Sequence, residues 1–188
     1  MMFYLHRFWR FLKKDSWQSW VVSLVLMYLF IRFIFFPVLS FAFASSLPLV
    51  VVESCSMYHE QGFDAWWEQN ELWYETERDI SKSDFEQFPF KNGLNKGDII
   101  LVSGRGSYEP GDIVVFKSSY TYPLIHRLVG IDPFATKGDH NPSYLPEEQD
   151  IPAATIIGKS IMRVPAIGWL KLIFFEGFKP SEQRGFCR

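Results

Sequence analysis

The chain has 188 residues, enough for one domain with an appendage and a sizeable core. Its formal net charge of −2 offers no general attraction to a polyanion, so nucleic acid is not an expected partner. Aromatic residues make up 18% of the chain and crowd into its first quarter and its last stretch, which suits a boundary between lipid and water. The two cysteines, Cys55 and Cys187, form no framework and show no metal-ligand spacing. Free thiols are therefore expected, and neither a metal nor another cofactor.

Residues 1–16 carry Arg7, Arg10, Lys13 and Lys14 among Phe and Trp. Residues 17–36 are then nearly all apolar, long enough to cross a hydrocarbon core of ~30 Å as a helix. Arg32 fixes where that helix ends, because an arginine at mid-bilayer costs at least ~2.5 kcal/mol. A span over 17–36 leaves Arg32 near the far end, where it can snorkel, and Pro37 closes or kinks the helix. The expected anchor is thus residues 17–37, with 38–47 in the outer interface. Basic residues before the span place the N-terminus in the cytoplasm and the rest of the chain outside the cell membrane. Ala42-Phe43-Ala44 has the look of a signal-peptide cleavage site, but the apolar region exceeds the usual 7–15 residues, which favours an uncleaved anchor.

Residues 58–95 change character. Acidic residues dominate, punctuated by Trp66, Trp67, Leu72, Trp73, Ile80, Phe85 and Phe88. A helix is expected over 64–77 and a second over 81–88, capped by Ser81 or Ser83. So many aromatics imply an acidic helical insertion that docks them on a neighbour rather than a disordered loop.

The period then switches to that of strands. Apolar runs at 98–102, 112–116, 124–129, 134–138 and 155–163 are separated by Gly and Pro turns. Together with the run at 49–52 they predict a mostly β domain, a coiled sheet or small barrel, made of 38–57 and 96–188. The apolar tail at 166–178 fits an interfacial helix and a core-packing helix equally.

Chemistry enters with the run Leu-Val-Val-Val-Glu-Ser-Cys-Ser-Met at 49–57. A serine at the end of an apolar strand is usually a turn former, and becomes a nucleophile only with a base and an oxyanion site. In an extended segment Ser54 and Ser56 share a face and Cys55 points away. Among the histidines, His6 lies in the basic first segment, His59 opens the insertion, His126 sits within a strand before Arg127, and His140 follows Gly138-Asp139 in a turn. A lone strand histidine is ordinarily a satisfied structural residue, and an aspartate in a turn ordinarily bonds local amides. Lys137 is a rival base, but an unperturbed lysine stays protonated near neutrality.

The order of the segments changes those odds. Ser-Cys-Ser-Met, then Gly-Asp-Ile-Ile-Leu-Val, Gly-Asp-Ile-Val-Val-Phe, His-Arg-Leu-Val-Gly and Lys-Gly-Asp-His-Asn-Pro resembles the type I signal peptidases. The match is to the archaeal and endoplasmic-reticulum branch, which carries histidine where bacterial enzymes carry lysine. The resemblance implies a signal-peptidase-like fold, Ser56 as nucleophile, His126 as general base and Ser54 as a helper of the Ser56 N–H at the oxyanion. Histidine, with an ordinary pKa of about 6.5, needs no desolvation to serve near neutrality, and a carboxylate fixes its tautomer. For that acid the resemblance points to Asp139 of the Gly-Asp box. The endoplasmic-reticulum enzymes place another acid a few residues on, where this chain has Leu145; Glu147 and Glu148 just beyond are rivals.

What the resemblance implies is a membrane-bound serine endopeptidase that removes signal peptides from preproteins, with small residues at the cleavage site. The substrate would add as a strand to an exposed edge, for which 49–52 and 112–116 are candidates. The lipid membrane is an expected partner, and the insertion could contact a component of the secretion machinery. Self-cleavage after Ala44 is a lesser expectation. Two other readings are a catalytically degenerate scaffold on the same fold and a self-cleaving repressor, which would need a DNA-binding module that the sequence does not display.

Overall fold

The computed structural model describes residues 2–187, so Met1 and Arg188, the outermost residues of the expected first and last segments, lie outside it. The chain divides into two units, Met1–Ala42 and Phe43–Arg188.

The first unit opens with helix α1 (Met2–Leu12). Ser16 then caps a second helix, accepting a hydrogen bond from the Ser19 N–H. That helix is built from α2 (Trp17–Phe30), a π-helical turn (Ile31–Phe35) and α3 (Phe36–Phe43). Over Trp17–Phe43 it is long and apolar enough to cross a membrane. The expected end at Phe36 is corrected, because Pro37 is carried inside the helix. A proline lacks an N–H and its ring strikes the carbonyl four residues back. Here the Phe36 N–H reaches the Ile31 carbonyl, five residues back, and the widened turn makes room for the ring. The added turns run beyond the ~20 residues a bilayer core needs, so a span starting at Trp17 still leaves Arg32 near its far end. Ala42-Phe43-Ala44 lies at the helix end, and the Phe43 carbonyl accepts from the Gly104 N–H, so this stretch is not an extended cleavage site.

The second unit is organised by a six-stranded antiparallel sheet in the order β1-β2-β6-β3-β4-β5. The strands are β1 (Leu49–Val51), β2 (Ile99–Ser103), β3 (Ile113–Phe116), β4 (Leu124–Ile131), β5 (Phe134–Lys137) and β6 (Ile156–Val164). Each arises where β-branched and aromatic residues run between Gly and Pro turns. Register shifts at Leu101/Val102, Val115/Phe116 and Leu128/Gly130 bend the sheet. Among the described residues β1 and β5 are its free edges, so the sheet is open and not a closed barrel. Strand β3, buried on both faces, sits in the interior. One side packs Val52, Met57, Leu94, Ile100 and Val102; the other gathers Val114, Phe116, Leu128 and Ile151.

The insertion forms α4 (Phe63–Arg78) and α5 (Lys82–Phe85). Phe63, Trp66, Trp67 and Tyr74 recur at helical spacing and bury one face of α4 with Phe85, Val129 and Ala135. The neighbour that receives these aromatics is therefore the domain's own β4 and β5. Leu72 does not dock; it points to solvent. Ser81 and Asp84 form a reciprocal cap at the start of α5. This helix stops short of the expected Phe88: the Gln87 and Phe88 N–H groups turn to carbonyls three residues back, and Pro89 bars a helical continuation.

The tail contains α6 (Trp169–Leu172). Its Leu172 is buried and Trp169 lies over Gly97, while Leu170, Ile173 and Phe174 are exposed, so it packs on the core by one face only.

Candidate active site

Beyond β1 the chain still pairs with the residues before β2, through Val52 N–H to Asp98 O at 2.9 Å and Gly97 N–H to Val52 O at 2.8 Å. It then leaves extended geometry and turns, with the Tyr58 N–H donating to Cys55 O at 3.0 Å. The expected strand-like alternation stops at this turn. Even so, the turn brings the two hydroxyls together, Ser54 Oγ lying 3.1 Å from Ser56 Oγ. Cys55 is bonded to Cys187, which corrects the expectation of free thiols. The two are 132 residues apart in sequence, and only the return of the tail to the end of β1 joins them.

His126 and Arg127 are consecutive on β4, and consecutive strand residues point to opposite faces. Each therefore meets a different carboxylate. His126 Nε2 lies 3.0 Å from Ser56 Oγ, and His126 Nδ1 contacts Glu148 Oε1 directly. Glu148 is buried and held by Thr136 Oγ1 at 2.9 Å and by the Leu145 N–H at 2.7 Å. Leu145 is the position where the resemblance calls for an acid. A turn, Glu148 N–H to Leu145 O at 3.0 Å, puts the Glu148 carboxylate there instead. Glu147 points elsewhere and accepts from Ser119.

Asp139, expected to orient the histidine, faces the other carboxylate position. Its oxygens accept from Arg127 Nε at 2.9 Å and Arg127 Nη2 at 2.7 Å, and from His59 Nε2 at 2.9 Å. Arg127 spends its remaining donors on the carbonyls of Pro89, Gly111 and Phe90, leaving the guanidinium fully satisfied. Trp66 Nε1 donates to the Asp139 carbonyl at 3.0 Å, so the insertion is fastened to the loop that carries the Gly-Asp box. Burial alone would raise the Asp139 pKa; the Arg127 charge, with the hydrogen bonds from His59 and Arg127, holds it well below the usual carboxylate range. Burial pushes His59 down, against the pull of Asp139, so its neutral ring donates Nε2–H and stacks on Trp66 at 3.8 Å. This role of His59, outside the expected site, has a sequence signal only in its closeness to Ser56.

Lys137, the rival base, alternates away from Thr136 and lies buried over the Trp73 and Tyr74 rings, 4.8 and 5.0 Å from their centroids. Burial brings it down to about 8, partly offset by Asp139 and Glu148. Its ammonium donates to the Gly138 carbonyl at 3.2 Å, on the insertion side of the sheet. His140 contributes its backbone N–H, which donates to the Ser56 carbonyl at 2.8 Å and sets the main chain at Ser56.

Ser56 and His126 open onto a cavity of about 350 Å³ walled by Val50–Ser54, residues 122–125 at the start of β4 and tail residues 178–180. The outer edge of β1 forms one side. Of the two strands expected to line the cleft, β1 does; β3, enclosed between β6 and β4, does not. Gly138 leaves room beside His126, since a methyl there would come within 2.6 Å of Asn141 Nδ2 and 2.9 Å of His126 Nε2, and the ring would have to move along with the amide. Gly138→Ala is accordingly expected to lower kcat by about 10²-fold through displacement of the ring. Steady-state kinetics beside a urea unfolding curve check it, the curve being expected to move little.

A comparison with protein-family models found no match, and a comparison with curated proteins found none.

Proposed function

We propose that this protein is a membrane-anchored serine endopeptidase of the signal-peptidase type, acting through Ser56, His126 and Glu148. The observation that carries the reading is the continuous contact from Ser56 Oγ through His126 to the buried Glu148 carboxylate, opening on a cavity beside an unpaired strand edge. In this reading neutral His126 accepts the Ser56 proton at Nε2 as Oγ attacks the scissile carbonyl, while Glu148 holds the Nδ1–H tautomer and faces the imidazolium that forms. The Ser56 N–H and the Ser54 hydroxyl stabilise the oxyanion. His126 then returns the proton to the leaving amine, and water repeats the cycle on the acyl-enzyme to release the acid and restore Ser56.

The substrate fits as a strand. A peptide laid on the outer edge of β1 brings its carbonyl to Ser56, and the Val-lined cavity favours small side chains beside it. The apolar helix Trp17–Phe43 tethers the domain at a lipid surface, where a signal peptide presents its cleavage site. Arg7, Arg10, Lys13 and Lys14 favour a cytoplasmic N-terminus and an outward catalytic domain. On α4 the aromatic face is buried on the domain's own sheet, so a secretion partner would meet Glu68, Glu71 and Glu75.

The test is incubation of the full-length chain in detergent with a secretory preprotein, the products being read by mass spectrometry. Cleavage after a small residue at the end of the signal peptide is expected. An intact preprotein, with the chain folded, would favour a scaffold on this fold and overturn the reading.

A further inference from the structure

The second strand edge of β1 already has an occupant. Val52 turns both its N–H and its C=O toward the residues before β2, and the Pro48 carbonyl likewise accepts from the Val102 N–H at 2.9 Å. Main-chain groups alternate along a strand, so those of Val51 and Glu53 point to the outer edge, where an added peptide strand would bond. At that edge Lys179 Nζ donates to the Glu53 carbonyl at 3.0 Å, and Lys171 Nζ binds the Glu53 carboxylate at 2.7 Å. Phe178, Lys179 and Pro180 stand in the wall of the cavity that holds Ser56 and His126.

The segment that delivers Lys179 is built as a clasp. Glu176 accepts from Lys96 Nζ at 2.8 Å and from the Gly185 N–H at 2.7 Å. Arg184 donates to the carbonyls of Lys179 at 2.7 Å and Gly177 at 3.0 Å, closing the segment on itself. Its end is bonded through Cys187 to Cys55, the residue before the nucleophile. Lys179 on the Glu53 carbonyl occupies the place that a substrate strand would take at this edge, and the disulfide keeps the local concentration of the competitor high.

We propose that residues 176–187 form a disulfide-held strap that competes with the substrate strand for the outer edge of β1, so that the peptide binds fully only when Lys179 has left the Glu53 carbonyl. This rests on the peptidase reading for the identity of the ligand, an extended peptide with small residues. The strap limits affinity, not chemistry: Ser56, His126 and Glu148 are untouched by its release.

The experiment measures binding apart from cleavage. A fluorescent, Ala-rich signal-type peptide is titrated by anisotropy into the full-length Ser56→Ala chain in detergent, alone and combined with Cys187→Ser or with Lys179→Met. The first change opens the clasp; the second removes the contact with the Glu53 carbonyl and the 3.2 Å ion pair of Lys179 with Glu176, leaving the disulfide in place. Each is expected to lower Kd about five- to tenfold, the net weight of one typical hydrogen bond. An unchanged or higher Kd in both overturns the strap, because a tail that merely walls the cleft would hold the peptide less well when loosened. The same substitutions in the Ser56 chain are assayed for cleavage. Tighter binding without cleavage keeps the strap and removes the peptidase; cleavage without tighter binding does the reverse. No binding by any variant overturns both.

Discussion

Ser56→Ala and His126→Ala are each expected to abolish preprotein cleavage, a loss of about 10⁶-fold when members of such a triad act as a unit. Glu148→Gln is expected to lower kcat by about 10³- to 10⁴-fold, because an amide against His126 Nδ1 stabilises the wrong tautomer and gives no charge to the imidazolium. Asp139→Asn supplies the contrast. Asp139 bonds Arg127 and His59, so its amide should weaken the fold while leaving kcat of the folded fraction far closer to the parent. Single-turnover rates on one preprotein, with folded fractions fixed by near-ultraviolet circular dichroism, separate the two. A full rate in Glu148→Gln beside a 10³-fold loss in Asp139→Asn would return the orienting role from Glu148 to Asp139.

Asp139→Ala is expected to cost about 3–5 kcal/mol of stability, the loss that follows when a buried cation is left without its partner. Arg127 and Asp139 are both fully enclosed, and the change also takes the acceptor from His59. The pH dependence of the parent has a definite sign. His59 is held below its unfolded value near 6.5, so the unfolded chain takes up more protons as pH falls past that point and stability declines. Asp139 is also held low, so its contribution is complete above its unfolded value near 3.9 and is lost as pH falls below it. Urea unfolding followed by tryptophan fluorescence at a series of pH values should show a first loss below about 6.5 and a second, steeper one below about 4. Asp139→Ala should reduce the second and leave the share of Glu176, whose carboxyl is held down to about 2, against the upward push of burial, by its hydrogen bonds from Lys96, Gly185 and Lys179. A stability flat from neutrality to acid in the parent would contradict both placements.

Much of this was written in local patterns. The strands follow the apolar runs closely, since β-branched stretches between Gly and Pro turns leave few alternatives. The aromatic face of α4 follows from spacing alone. What sequence left open was decided by contacts that no local pattern carries. His126 and Arg127 alternate, which already implies separate acids, but only the turn from Leu145 to Glu148 shows which acid each receives. Asp139 is the conspicuous aspartate of a Gly-Asp box, and the partner that claims it is the guanidinium one residue beyond the histidine. The Cys55–Cys187 bond joins distant segments and has no spacing to betray it. Pro37, read as closing or kinking the helix, is accommodated by a single wide turn.

The place of β6 between β2 and β3 has a consequence for the order in which the molecule can be made. Ser56 follows β1, in the β1–β2 half of the sheet, whereas His126 lies in the β3–β4–β5 half. The halves share no strand pairing until β6, at 156–164, is laid between them. Synthesis runs from the N-terminus at about 5–20 residues per second, so a nascent chain carries its nucleophile for several seconds before the sheet that aligns the base can close. Emergence of the last long strand thus acts as the arming step. In the proposed function, the topology keeps the site unassembled until nearly all of the chain has been translated.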